Sequence, residues 1–411
     1  MLKRIRLKNF KSFVDEEVKV APLTLLVGAN ASGKSNFLDA IRFLRGLASG
    51  LTLSEVLNGE RQSRPGAWTG IRGRAEESAR VGEDAFTLES VWLAPRSGPS
   101  PEPNTSELLP NQVELHHRIV CRTTPYPMLE EETLLSQADE DNKLGTIGHR
   151  IEGEADVEQS RAGALKADAS RSLLGLLENG RGRALAPWSS DLLAWWSDAL
   201  RELKFLDIKP PEMREYGRRG YPLGDEGKNL SGVLADLFER VDEKASLIDW
   251  LVELCAPEVE DISFVEVKEL GDVMAMFVER GGKRISVRSA SDGTLHFLGI
   301  LIALRTAEPG SVILMEDVDT FLHPTRIRLL VEYLDAVTRE RQIQIIATTH
   351  SPVVLQWLSY ESLRNAIVFG RVPDHEGTIM RRLGDLPHFD EVVQRKGIDE
   401  LFTTGWLEMA L

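Results

Sequence analysis

The chain has 411 residues, 42% of them hydrophobic, 27% charged and 7% aromatic, with a formal net charge of −15. This is a globular composition with apolar material for a sizeable core, and the length suggests two or three structural units. The acidic balance repels a polyanion at long range and excludes indiscriminate coating of nucleic acid, and no stretch approaches the roughly 18 uninterrupted apolar residues of a membrane span.

Residues 1–10 alternate basic and apolar side chains and lack the continuous apolar core of a secretion signal. Residues 3–10 and 14–20 read as strands, with Lys11-Ser12-Phe13 at the bend between them. Leu23-Thr24-Leu25-Leu26-Val27 has the mostly apolar make-up of a strand covered on both faces. A glycine loop follows, and residues 35–47 carry helical apolar spacing through Phe37, Leu38, Ile41 and Leu44.

Residues 50–82 are irregular, and strands are expected at 85–93 and 112–121, separated by an exposed proline-rich loop at 95–103. Residues 127–180 are polar and acidic with weak helical periodicity, and firmer helices are expected at 190–203 and 230–255. Trp188, Trp195, Trp196 and Trp250 fall in this region and are read as packing residues. Strands return at 262–268, 272–280 and 283–288, with Gly281-Gly282 as a hairpin turn. A helix at 294–305, strands at 312–315 and 343–348 and a helix at 325–338 then make a βαβ crossover in a parallel sheet. The two cysteines, Cys121 and Cys255, have no metal spacing and suit a reducing, cytoplasmic setting. Two arginine groups, Arg61 and Arg64 with Arg72 and Arg74, and Arg214 with Arg218 and Arg219, read first as solvated loops and leave nucleic acid open as a partner.

Four motifs carry chemistry. Gly28-Ala29-Asn30-Ala31-Ser32-Gly33-Lys34-Ser35 satisfies G-x-x-x-x-G-K-[ST] between a buried strand and a helix. Its glycines allow backbone N–H groups to wrap a phosphate, and the helix start adds positive potential. Lys34 is expected at the β and γ phosphates of ATP, and the Ser35 hydroxyl on Mg²⁺. Glu316-Asp317, closing an apolar strand, provides one carboxylate for the metal and a neighbour to orient and deprotonate water. Ser289-Ala290-Ser291-Asp292-Gly293-Thr294 is a small-residue turn capping an apolar helix, and Thr348-Thr349-His350-Ser351-Pro352 places a histidine at a strand end as a γ-phosphate sensor.

In this order the motifs resemble the ATPase heads of the SMC and RecF group within the ABC ATPases. The likeness is greatest to the ATPase domain of overcoming-lysogenization-defect nucleases and related phage-defence ATPases. The strand pair with its "NFKSF" bend and phosphate loop, Ser289 to Leu304 as a signature motif with "SDGT" in place of the transporter "SGGQ", Glu316 to Pro324 as Walker B and D-loop, and the switch His350 carry it; 209–214 with 227–230 adds a looser likeness. The resemblance implies an α/β fold, a P-loop NTPase (ABC ATPase head) with an antiparallel β subdomain and an inserted helical lobe. Residues 1–125 and 261–411 would form the head and 126–260 the lobe.

It further implies that Lys11, Gly28, Asn30, Ala31, Ser32, Gly33, Lys34, Ser35 and Asn36 bind nucleotide in one protomer. Ser291 and Gly293 of a second protomer would meet its γ-phosphate, with His323 at the D-loop. Ser35 and Glu316 would hold Mg²⁺, and Asp317, Glu316 and His350 would be catalytic. Val318 stands where the family has proline, and Asp317 where it has glutamate, one methylene shorter. A misplacement near 1 Å can cost on the order of a hundredfold, so slow hydrolysis is expected. Gln112 is the candidate Q-loop glutamine. The stretch after Ser351 is expected to be too short for a fused nuclease. The functional expectation is therefore the sensor or regulatory ATPase of an anti-phage system, controlling a separately encoded nuclease or toxin through closure of an ATP-sandwiched homodimer. Alternatives are a RecF-like DNA-repair ATPase and an ATP-binding scaffold with very slow turnover.

Overall fold

The computed structural model describes residues 1–60, 67–95, 112–137, 144–151, 154–157, 165–166, 170–176, 187–255, 259–372 and 375–411. Among these, a six-stranded sheet runs in the order Lys204–Leu206, Val312–Met315, Gln344–Thr348, Leu23–Val27, Ile367–Gly370, Ile379–Arg382. All neighbours in it are parallel except the last pair. Its central strands are apolar at nearly every position because both faces are covered. Leu23, Leu25, Val27, Ile313, Met315, Ile345 and Ala347 enter one core with the helices Asp292–Arg305 and Pro324–Arg341. Leu26, Val312, Leu314 and Ile346 enter a second core with the helix Lys34–Ala48. Alternation along each strand thus assigns successive side chains to opposite layers.

The second core is closed by an eight-stranded antiparallel sheet that starts with Phe13–Lys19, Leu2–Phe10, Ala85–Pro95 and Gln112–Arg122. Gln344, buried in the parallel sheet, joins the two: its amide accepts from Leu2 N (2.7 Å) and donates to Leu2 O (2.8 Å). A third sheet holds Val259–Val267, Asp272–Glu279, Arg284–Ser286 and Gly217–Arg218. Gly281 and Gly282, both at positive φ (89° and 82°), make its hairpin turn.

The antiparallel sheet continues where weak helical periodicity was expected. Met128–Gln137, Leu144–Ile151, Glu154–Val157 and Leu165–Lys166 are strands. Two features disguise the alternation of the first. A register shift opposite Val120/Cys121 changes the phase of the inward residues, so that Leu129 and Glu132 both face the core. Glu132 is itself a charge on the buried face, fully covered, accepting from Leu173 N (2.7 Å) and lying 3.0 Å from His117 Nε2, with Ser172 Oγ as a further donor. The helices of the inserted region come later, at Pro187–Arg201, Leu230–Leu237 and Val241–Cys255. The single helix expected at 230–255 is two, because 3₁₀-type bonds from Glu239 N to Asp236 O and from Arg240 N to Leu237 O end the first.

Trp196 is fully buried, Trp195 packs on the same core and Trp250 lies edge-on to Tyr333, with ring centroids 5.0 Å apart. The side chains of Trp188 and Cys255, the loop expected at 95–103 beyond Pro95, and Arg61 and Arg64 lie outside the described residues. Cys121 is a buried free thiol whose pKa burial pushes up. Among the described residues no helix is long and apolar enough to cross a membrane.

Candidate nucleotide site

The strand Leu23–Val27 ends at Gly28, and the chain wraps back through Gly28, Ala31 and Gly33 at φ of 139°, 61° and 113°. Glycine is required at two of these positions. A Cβ on Gly28 would stand 2.2 Å from the Phe369 carbonyl oxygen, and one on Gly33 would stand 2.7 Å from Thr378 Oγ1. The helix Lys34–Ala48 begins directly at the loop with no side chain capping its first turn and no acidic residue in it. Its free N–H groups and dipole therefore face the concavity. Asn30 and Ala31 are exposed on the rim, and Ser32 Oγ is buried with no hydrogen-bond partner among the described residues.

Lys34 is 5% exposed, and its Nζ donates to the carbonyls of Gly28 (2.7 Å) and Ala29 (2.9 Å). Burial lowers its pKa, while the charges of Asp317 and Glu408 pull the other way. Asn36 Nδ2 donates to Ser12 Oγ (2.9 Å), and Thr378 Oγ1 donates to Ser32 O (2.9 Å) and pairs with Ser12 Oγ (2.9 Å), fixing the loop against the bend. An uncapped helix start, an orphaned hydroxyl and a buried ammonium fit a polyphosphate.

Glu316 and Asp317 close the strand Val312–Met315, and the strand carrying His350 lies between it and the phosphate-loop strand. Asp317 takes a left-handed backbone (φ 46°), which aspartate tolerates better than most residues. Thr348 holds it: Thr348 Oγ1 accepts from Asp317 N (2.7 Å) and lies 3.1 Å from Asp317 Oδ1. His350 Nε2 stands 3.6 Å from that same Oδ1. Lys34, Asp317 and His350 therefore converge across three neighbouring strands.

The site contains a residue that sequence reasoning assigned elsewhere. Arg72, read as part of a loop patch, pairs with Glu316 (2.8 Å and 3.2 Å), donates to Ser35 O (2.8 Å) and reaches Asp39 (3.1 Å). Asp39 is 1% exposed on the core face of the helix, a position that demands a cation, and this was the available signal. Lys11 answers it as well, donating to Asp39 Oδ2 (2.6 Å) and to Arg72 O (2.6 Å). Burial lowers the Lys11 pKa, with Asp39 opposing. Lys11 thus anchors Arg72, with its ammonium committed to these two partners. Arg72 contacts both the Ser35 backbone carbonyl and Glu316, so it links the two residues expected to hold the metal. Mg²⁺ takes few protein ligands and completes its shell with water and phosphate oxygens, which such a pair fits. Among the described residues no cluster of three or more His, Cys, Asp or Glu could hold a metal unaided.

The remaining residues gather elsewhere. Ser291 caps the helix Asp292–Arg305, its Oγ accepting from Thr294 N (3.1 Å). A Cβ on Gly293 would meet the Phe321 carbonyl oxygen at 2.5 Å, and His323 caps the helix Pro324–Arg341. Arg214 clamps this turn, donating to Arg288 O (3.0 Å), Ala290 O (2.9 Å) and Asp292 Oδ1 (2.7 Å). Ser291, Gly293, Phe321 and His323 line one cleft of about 550 Å³, and no phosphate-loop residue does. Gln112 opens an antiparallel strand opposite Pro95, and its side chain is outside the described residues.

Comparison with known proteins bears on the family and the fold. A family model described as "AAA ATPase domain" matches residues 1–61, which contain the phosphate loop. Another, "AAA domain, putative AbiEii toxin, Type IV TA system", matches residues 146–356, about half of the chain. The chromosome partition protein Smc of Halothermothrix orenii is 47% identical over 55 residues, a stretch covering 13% of this chain and 5% of that protein. The Smc head domain of Pyrococcus furiosus, solved bound to the C-terminal domain of ScpA, aligns with a TM-score of 0.50 at 12% identity, over 96% of this chain and 98% of that one. The SMC head domain of Thermotoga maritima aligns at 13% identity with a TM-score of 0.43, over 93% of this chain and 98% of that one. The fold is that of an SMC-type P-loop ATPase head, mixed α/β with an antiparallel sheet. The chain belongs to the AAA domain family described as "putative AbiEii toxin, Type IV TA system".

Proposed function

We propose that this chain binds Mg–ATP and hydrolyses it slowly at a composite site shared by two copies, as the sensor or regulatory ATPase of an anti-phage system acting on a separately encoded nuclease or toxin. The observation that carries the reading is the division of the motifs. Lys34, Ser35, Glu316, Asp317 and His350 form one cluster, while Ser291, Gly293 and His323 line a separate cleft. Two copies arranged head to tail bring the cleft of one over the phosphate loop of the other. In that arrangement Lys34 and the loop N–H groups bind the β and γ phosphates, and Ser35 and Glu316 hold Mg²⁺, which neutralises phosphate charge when bound. Glu316, paired with Arg72 here, would be the carboxylate that holds the metal. Asp317 orients and deprotonates water, and His350 reports the γ-phosphate. The family's toxin–antitoxin description and the likeness to lysogenization-defect ATPases support a defence role.

A scaffold that binds ATP and barely turns it over is the second reading, favoured by the short Asp317 and by the Arg72–Glu316 pair. A RecF-like role on DNA is less supported, since Arg214, Arg218 and Arg219 are all paired with acids. Sedimentation tests the proposal. The sedimenting mass is expected to double with saturating Mg–ATPγS and to stay at one copy with Ser291→Arg, whose side chain fills the cleft. Single-copy mass for the wild type with bound ATPγS would remove the composite site.

A further inference from the structure

His296 lies on the first turns of the helix that Ser291 caps. It is 5% exposed, and neither Nδ1 nor Nε2 has a hydrogen-bond partner by geometry among the described residues. A buried imidazole without partners costs stability that a phenylalanine in the same space would not. Its surroundings show what that group is placed to do. The Phe321 ring lies edge-on at 5.9 Å. The backbones of Val318 and Ile208 also lie against the imidazole. Burial lowers the pKa of the ring, and these two backbones oppose that shift.

Each neighbour belongs to a different part of the site. Val318 directly follows Glu316-Asp317, and its own N–H is tied to Thr348 O (3.0 Å). Phe321 is 56% exposed at a left-handed φ of 64°, strained for a bulky residue, and its carbonyl presses on Gly293. Ile208 packs on Gly299 of the signature helix and precedes Pro210–Met213, after which Arg214 clamps the signature turn. His296 therefore stands where the carboxylate loop, the signature helix and the segment leading to Arg214 meet.

We propose that His296 is a positioning residue of the composite site. When nucleotide engages the carboxylate loop, the segment 318–322 settles onto the ring, and an imidazole N–H closes on the Val318 carbonyl. The state of Glu316 and Asp317 is thereby passed to Ser291 and Gly293. This rests on the ATPase reading above.

Hydrogen exchange of the 318–323 amides with and without Mg–ATPγS provides the test, together with melting temperature and nucleotide affinity for wild type, His296→Phe and His296→Gln. The wild type is expected to gain protection of about fivefold or more on binding. The Phe variant should melt no lower than wild type, bind Mg–ATPγS within about twofold and gain no protection, and the Gln variant should recover part of it. Wild-type protection in the Phe variant overturns the proposal. So does a joint fall in melting temperature and affinity that Gln does not restore, which is the mark of a packing role. A wild type that fails to bind Mg–ATPγS at all overturns the ATPase reading, and this inference falls with it.

Discussion

Lys34→Met is expected to weaken nucleotide binding by about a hundredfold or more while leaving the fold intact. The ammonium is buried, and among the described residues it bonds only to two loop carbonyls, Gly28 and Ala29. Methionine fills similar space, and the carbonyls can turn to water. Bound phosphate replaces those carbonyls as partner, and hydrogen bonds to a charged group contribute about 1.5–3 kcal/mol each, so losing two corresponds to about a hundredfold in affinity. Titration with a fluorescent ATP analogue reads the loss directly. The rise in melting temperature on adding Mg–ATP should vanish, and the melting temperature without nucleotide should barely move. Unchanged affinity would mean that the phosphates lie elsewhere.

Asp317→Asn should separate binding from turnover. Asparagine accepts the left-handed backbone as readily as aspartate, and its amide keeps a partner in Thr348. Binding is therefore expected to change by no more than about threefold, while single-turnover phosphate release falls by about a hundredfold or more, the lower range for loss of a positioned base. His350, 3.6 Å from the lost carboxylate oxygen, sets the contrast. Its replacement by alanine should reduce turnover and also blunt the preference for ATP over ADP. Equal turnover in Asp317→Asn and wild type would place the base elsewhere and strengthen the scaffold reading.

The parallel sheet and its loop were legible because each signal was local. Five consecutive buried positions, a glycine loop and an amphipathic helix adjoin one another in residues 23–48, so no long-range information was needed. The same holds for Ser291, which lies in a small-residue turn that caps an apolar helix. The strands from Met128 onward were hidden because a bulge and the buried Glu132 break period-two alternation, and Glu132 makes sense only beside His117 and Ser172. Arg72 was hidden for a related reason. Its partners Asp39 and Glu316 come from distant parts of the chain, and only the fold brings them to one guanidinium. Spacing showed that Lys11 sits in a bend, whereas its burial against Asp39 needed coordinates.

The central claim is that one copy supplies the phosphate loop and another the signature turn. Mixing two inactive variants tests it most directly. Lys34→Met has a dead loop and an intact signature, and Ser291→Ala, which removes the γ-phosphate contact without filling the cleft, has the reverse. Each alone is expected to release no phosphate from ATP. Mixed in equal amounts they form hybrids with one complete site, and a readily measured fraction of wild-type turnover should return. A mixture of well-folded variants as inactive as either alone would contradict the composite site.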